Sequence, residues 1–117
     1  MAIHTELPVY KLCYDLLTLT STLTSNMPRD FKSTFGAQLR SECVQMLVLI
    51  GRANAARHKV PHITELLERL HVAELMFRLS HDKQFISHKQ YAAAVQVTDR
   101  IGRQAGGWRR SAVASVA

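Results

Sequence analysis

Residues 86–91 read Ile-Ser-His-Lys-Gln-Tyr, and this short stretch decides the fold. Ser87 is a helix N-cap residue and Gln90, three positions on, can return the bond. Together they form a capping box, with Ile86 and Tyr91 placed as the hydrophobic staple across it. The stretch therefore starts a helix without a proline. The other helix boundaries carry one. Pro8 opens the first helix, where its missing N–H does no harm. Pro28 separates the first helix from the second. Pro61 separates the second from the third, within a polar stretch that includes Arg57, His58 and Lys59.

Between these marks the apolar period is helical. Tyr10, Cys13, Leu16, Leu17, Thr20 and Leu23 line a helix over about 8–25. Phe31, Phe35, Leu39, Cys43, Met46, Ile50 and Ala53 line one over about 30–57. Ile63, Leu66, Leu67, Leu70, Ala73 and Phe77 line one over about 62–82. Tyr91, Ala94, Val95, Thr98, Ile101, Ala105 and Trp108 line the last, over about 87–110. No segment alternates with period two. Helices of roughly 27–42 Å joined by short connections pack antiparallel. The expected fold is all-α: an up-down-up-down antiparallel four-helix bundle over residues 1–110, followed by a flexible tail at 111–117. All five glycines fall inside these helices. They read either as sites of close helix approach or, at Gly106-Gly107, as an early end to the last helix.

Composition bounds the rest. A chain of 117 residues has room for one core. At 47% apolar and 21% charged it is an ordinary globular composition, not a disordered one. No apolar run approaches the length of a membrane span. Residues 1–7 show no basic-then-apolar leader, so a cytoplasmic protein without membrane association is expected. Two cysteines, Cys13 and Cys43, make neither a disulfide framework nor a zinc site, and both fall on core-facing stripes.

The middle helices carry more apolar surface than one subunit can bury. At 100° per residue Val72, Leu75, Met76 and Leu79 lie opposite the core stripe of the third helix. Val44, Val48 and Leu49 lie away from that of the second. A helix apolar all round is buried all round. These seven residues are the expected oligomer interface.

Catalytic chemistry finds little support. Glu68-Arg69-Leu70-His71 is a Glu-x-x-His on a helix, the unit of di-iron bundles, but such sites need two copies and two further Glu ligands. The last helix offers Asp99 and no His three residues later. No metal or other cofactor is expected. The remaining histidines, His4, His58, His62, His81 and His88, cluster at helix ends. No nucleophile elbow or phosphate-binding glycine loop is present, so the expected protein is not an enzyme.

The basic residues say more. Fifteen Lys and Arg face nine Asp and Glu, a net charge of +6. Lys89, Arg100, Arg103 and Arg110 fall in one outward sector of the last helix, with Arg109 beside them. Arg29 and Lys32 flank the start of the second helix, with Arg40 farther along. Arg52, Arg57 and Lys59 surround its end. Arg forms bidentate contacts with phosphate that Lys does not. Association of subunits would multiply the field. These eleven residues are the expected contacts to nucleic acid or a partner, with backbone-directed, salt-sensitive binding.

Ser87-x-x-Gln90-Tyr91, followed by Arg100-Ile101-Gly102-Arg103 and Gly106-Gly107-Trp108, resembles the last helix of the accessory variability determinant (Avd) family of diversity-generating retroelements. Pro28-Arg29 with Phe35-Gly36 resembles that family's entry into its second helix. The likeness runs from about Tyr10 to Arg110. It implies a homopentameric barrel of four-helix bundles that binds a reverse transcriptase and RNA or DNA. It also implies a non-catalytic part in adenine-directed mutagenic copying of a template repeat. A wider group of bacterial four-helix bundles, including those in intervening sequences of ribosomal RNA genes, shares the apolar pattern. For those the alternative is an orphan bundle that binds structured RNA or serves as an interaction module.

Overall fold

The computed structural model describes residues 3–116. Four long helices form a rod of 48 × 20 × 20 Å. The first, α1, is Pro8–Ser25, with Pro8 in its opening turn. The second, α2, spans residues 29–55 in three continuous pieces: an α-helical turn at Arg29–Phe31, a π-helical stretch at Lys32–Gly36 and an α-helix at Ala37–Ala55. The third, α3, is Val60–Asp82, with Pro61 in its opening turn. The fourth, α4, is His88–Val116. A single 3₁₀ turn, His4–Glu6, precedes α1. Each helix packs on its two neighbours, α1 on α2 and α4, and α3 on α2 and α4. Contacts between Thr20 and Cys43 and between Thr24 and Arg40 show α1 and α2 running antiparallel.

The core follows the helical stripes. Leu16, Leu39, Met46, Leu66, Leu70, Phe77 and Ile101 are all buried. Each large aliphatic or aromatic side chain removed from water contributes about 1.5–3 kcal/mol. Ser87 and Gln90 form the reciprocal cap: the Gln90 N–H donates to Ser87 Oγ at 3.1 Å, and the Ser87 N–H donates to Gln90 Oε1 at 2.8 Å.

Four features depart from expectation. First, α4 does not stop at Arg110 but continues to Val116, and Ala112 is buried against Ala53 and Ile63. Residues 111–116 are thus the far end of a helix that closes one end of the bundle; residue 117 lies outside the described chain. Second, α3 begins two residues earlier than expected and α2 ends two residues earlier. Third, α2 is widened at residues 32–36. Fourth, close approach explains one glycine rather than five. A Cβ on Gly36 would lie 3.1 Å from Thr24 Cγ2, whereas at the other four it would meet nothing closer than 3.6 Å. Gly36 is therefore what lets α1 and α2 touch beside the π-helical stretch.

Candidate nucleic-acid interface

The outward side of α4 carries four cations in one sector. Lys89, Arg100, Arg103 and Arg110 are all exposed, and Asp99 is the only acid in the helix. The core face of α4, Ala94, Thr98, Ile101 and Ala105, holds that orientation by burying small side chains against α1 and α3. At 1.5 Å per residue, Lys89 and Arg110 stand about 31 Å apart, so the stripe runs along most of the rod.

Toward α3 the stripe borders a groove of about 500 Å³ lined by Leu70, His71, Glu74, Asp99, Arg103 and Arg110, among others. Here two carboxylates and two guanidinium groups share one wall. Arg103 also reaches the opposite edge of α4, where it borders a hollow with Leu7, Pro8, Gly107 and Trp108. The Arg110 guanidinium lies back over Gly106 and Gly107, within van der Waals reach of where their Cβ atoms would be. Arg109 is half-buried, turned off the stripe.

The other expected contacts divide between the ends of the rod. Arg29 and Lys32 are exposed where α2 begins, and Arg52 and Arg57 where it stops. Arg40 is half-buried and its Nη1 donates to Thr24 Oγ1 at 2.9 Å, tying α2 to α1. Lys59 is not a free cation. Its Nζ donates to the carbonyls of Ala53, Asn54 and Ala56 at 2.9–3.0 Å and so caps the C-terminus of α2. This is a common fate for a Lys just past a helix end, where unpaired carbonyls and the helix dipole both attract it. Lys59 therefore serves the helix end and not, as expected, an anion outside the subunit.

The expected oligomer interface also changes. Leu49 is 2% exposed and Met76 8%, so both belong to the subunit's own core. They sit on the flanks of α2 and α3 that face each other. Sequence phase alone places them outside because a helix in a bundle buries both flanks as well as its centre. Val72 is half-buried. Val44, Val48, Leu75 and Leu79 remain 39–57% exposed. They do not form one patch. Val44 and Val48 continue the i, i+4 row of Arg40, on the side of α2 toward α1. Leu75 and Leu79 form a row on the outer side of α3. Glu42 and Arg69 mark equal heights on these antiparallel helices. From that level, Val48 and Leu75 lie six residues away in opposite directions, about 18 Å apart along the rod.

The apolar period does not disclose the Glu42–Arg69 pair. Arg69 Nη1 donates to both carboxylate oxygens at 3.3 Å, and the Glu42 side chain is 6% exposed. The available signal was an acid beside Leu39, Cys43 and Met46 on a core flank, which demands a partner.

Both thiols are buried. Burial first, then the neighbouring Cys43, pushes the Cys13 thiol up to about 12. Burial pushes Cys43 up to about 11; Thr20 opposes the rise through its hydrogen bond, and Glu42 adds to it. Both are therefore held as neutral thiols and packed as small apolar groups. Among the described residues no three His, Cys, Asp or Glu side chains come together in an arrangement that could hold a metal ion, and no helix is long and apolar enough to cross a membrane.

These features define a basic four-helix bundle whose exposed surface separates an arginine stripe from two apolar strips. Residues 8–112 match the model of the bAvd-like family, and the chain belongs to it. This is an Avd-type accessory family, in keeping with the resemblance carried by the last helix. No curated protein matches the chain.

Proposed function

We propose that this protein is the accessory subunit of a diversity-generating retroelement. In this reading it binds the reverse transcriptase, holds template RNA or its cDNA on the outward face of α4, and supports mutagenic copying without itself catalysing a step. The observation that carries the reading is that face: Lys89, Arg100, Arg103 and Arg110, all exposed, on a helix with a single acid. Membership of the bAvd-like family supplies the biological setting.

The working form is a ring of subunits. A two-fold axis would satisfy both strips only if they lay on one face, each covering the other on the partner, or if each met its own copy across a separate axis. They suit a head-to-tail contact in which the Leu75–Leu79 row of one subunit covers the Val44–Val48 row of the next. Such contacts close into cyclic rings. The Avd resemblance implies five subunits, and a ring would place five copies of the arginine stripe in one field.

Copurification with the reverse transcriptase of a diversity-generating retroelement from the same genome tests the reading, with and without its template RNA. Retention of both enzyme and RNA, weakened by salt, is the expected result. Failure to retain the enzyme at low salt would sink it; retention of RNA alone would favour an orphan RNA-binding bundle.

A further inference from the structure

The far end of the rod, where α3 turns into α4, has a chemistry of its own. After Asp82 the chain reverses through Gln84, whose φ is 62°, and the N–H groups of Phe85 and Ile86 both donate to the Ser80 carbonyl. The reversal brings rings together from three helices. Phe85 lies against Phe31, with centroids 4.3 Å apart, and meets Phe35 edge-on at 6.4 Å. His81 stacks on Tyr91 at 4.7 Å with 19° between planes, and His88 stands 5.5 Å from His81. An open hollow of about 630 Å³ lies here, lined by His81, Asp82, Gln84, Phe85, Ser87 and His88.

Packing on the core accounts for Phe35, Phe85 and Tyr91 but not for Phe31, His81 and His88. Phe31 is 44% exposed, although a polar residue would serve in the first turn of a helix. His88 is exposed, and His81 is half-buried with one face against Tyr91, so the ring surface open to an incoming group is that of His88 and the uncovered side of His81. The charge around the rings is positive: Arg29, Lys32, Lys83 and Lys89 are exposed, against Asp30 and Asp82. Asp82 lies in the hollow itself. Its carboxylate repels a phosphate from the interior but accepts hydrogen bonds from ring and exocyclic N–H groups. The cations around the rim do the reverse. A flat heterocycle inside and an anion outside is the pattern of one unpaired nucleotide.

We propose that this end is a stacking platform for single-stranded nucleic acid, with a base entering the hollow bounded by His81, His88 and Phe85 while Lys83 and Lys89 hold the flanking phosphates. The platform rests on the nucleic-acid reading above and adds to it the strandedness of the ligand and a site that shares Lys89 with the stripe but lies at the other end of α4 from Arg100, Arg103 and Arg110. Duplex bases are already stacked and their faces are unavailable, so the hollow discriminates by strand state and tolerates any sequence.

The test uses the full chain and two labelled probes, poly(dA) and the poly(dA)·poly(dT) duplex, titrated by fluorescence anisotropy. The variants are His88→Ala, at an exposed position, and Phe85→Leu, which keeps apolar packing but removes the ring. The expected result is tighter binding of the single strand by the unmodified protein. The two substitutions together weaken that binding roughly 10-fold and leave duplex binding unchanged. Ultraviolet crosslinking of poly(dT) is expected to map to His81, Phe85, His88 or Tyr91. If the unmodified protein binds both probes but the variants lose neither, or lose both equally, or the crosslinks fall on α4 beyond residue 100, the platform is wrong and the arginine-stripe reading stands. If it binds neither probe, both readings fall together.

Discussion

The outer sides of α3 and α4 are neighbours on one rod, yet they have opposite characters. On α3 the row is Val72, Leu75 and Leu79, with Glu65, Glu68 and Glu74 alongside. On α4 it is Lys89, Arg100, Arg103 and Arg110, with one acid. Both helices bury a full core stripe, so neither outer face is needed for the subunit to fold. What each displays is thus free to serve something outside the subunit. An apolar row loses free energy in water and gains it against another apolar surface. A row of guanidinium groups keeps its hydration and attracts anions. In the proposed function the two faces separate assembly from ligand binding, and substitutions can test that division one face at a time.

The largest expected effect is on assembly. Leu75→Glu or Val48→Glu alone leaves the subunit monomeric in native mass spectrometry, because each places a charge in a contact worth about 1.5–3 kcal/mol per buried side chain. Mixing the two variants restores pairs, since each still offers the strip the other needs. Variants that still pair on their own, each through its intact strip, would show instead that each strip meets its own copy. Neither variant weakens single-subunit binding of nucleic acid.

The second effect falls on the other face. Arg100→Glu with Arg103→Glu weakens nucleic-acid binding by about 10-fold or more at physiological salt, and lowers the slope of log K against log salt by about 2. The oligomer stays intact. If these substitutions dissociate the oligomer, α4 is part of the subunit contact and the division between the faces is wrong.

How much of this could be read beforehand depends on the kind of residue. The helices were legible because prolines and the Ser87–Gln90 box punctuate a strict apolar period. The arginine sector was legible because outward positions need only the phase of one helix. Leu49 and Met76 were not, because their burial depends on where a second helix packs. Lys59 was not, because a long flexible side chain can turn back onto its own helix end. The last turns of α4 were missed for a third reason: Ala112 seals the end of the bundle with a small side chain that leaves little trace in an apolar pattern. The platform at the α3–α4 turn needed three helices in place before its rings met.

The interior supplies the reference that keeps the comparison clean. Cys13 and Cys43 have folded pKa values of about 12 and about 11, above the ordinary thiol value of 9.0. Because the folded values are raised, the stabilisation is complete below pH 9 and is lost as pH rises through 11 and 12. By pH 11 the loss is about 2 kcal/mol for each thiol, measured by urea unfolding, and Cys13→Ala with Cys43→Ala flattens the alkaline limb. At pH 8 neither native thiol reacts with a disulfide reagent. Any surface variant whose thiols do react has lost its core, and its binding data say nothing about faces.

A smaller effect belongs to the hidden ion pair. Arg69→Ala leaves the buried Glu42 carboxylate without its partner and costs about 2 kcal/mol, less than a fully buried pair because Arg69 is partly exposed. Arg69→Ala together with Glu42→Leu recovers most of the loss. Recovery would show that the pair compensates a buried charge and that the α2–α3 seam is otherwise apolar.

The smallest effect separates the two ends of α4. Ser87→Ala removes the side-chain acceptor for the Gln90 N–H and costs about 1 kcal/mol. The loss is local. Hydrogen exchange speeds up over the first turn, which carries His88, Lys89 and Tyr91, while residues 100–110 keep their protection because their core contacts are unchanged. Single-strand binding at the platform therefore weakens with the frayed turn, while duplex binding on the arginine stripe does not. If both fall together, the stripe depends on the cap through the length of the helix, and α4 behaves as one cooperative element rather than as two independently supported surfaces.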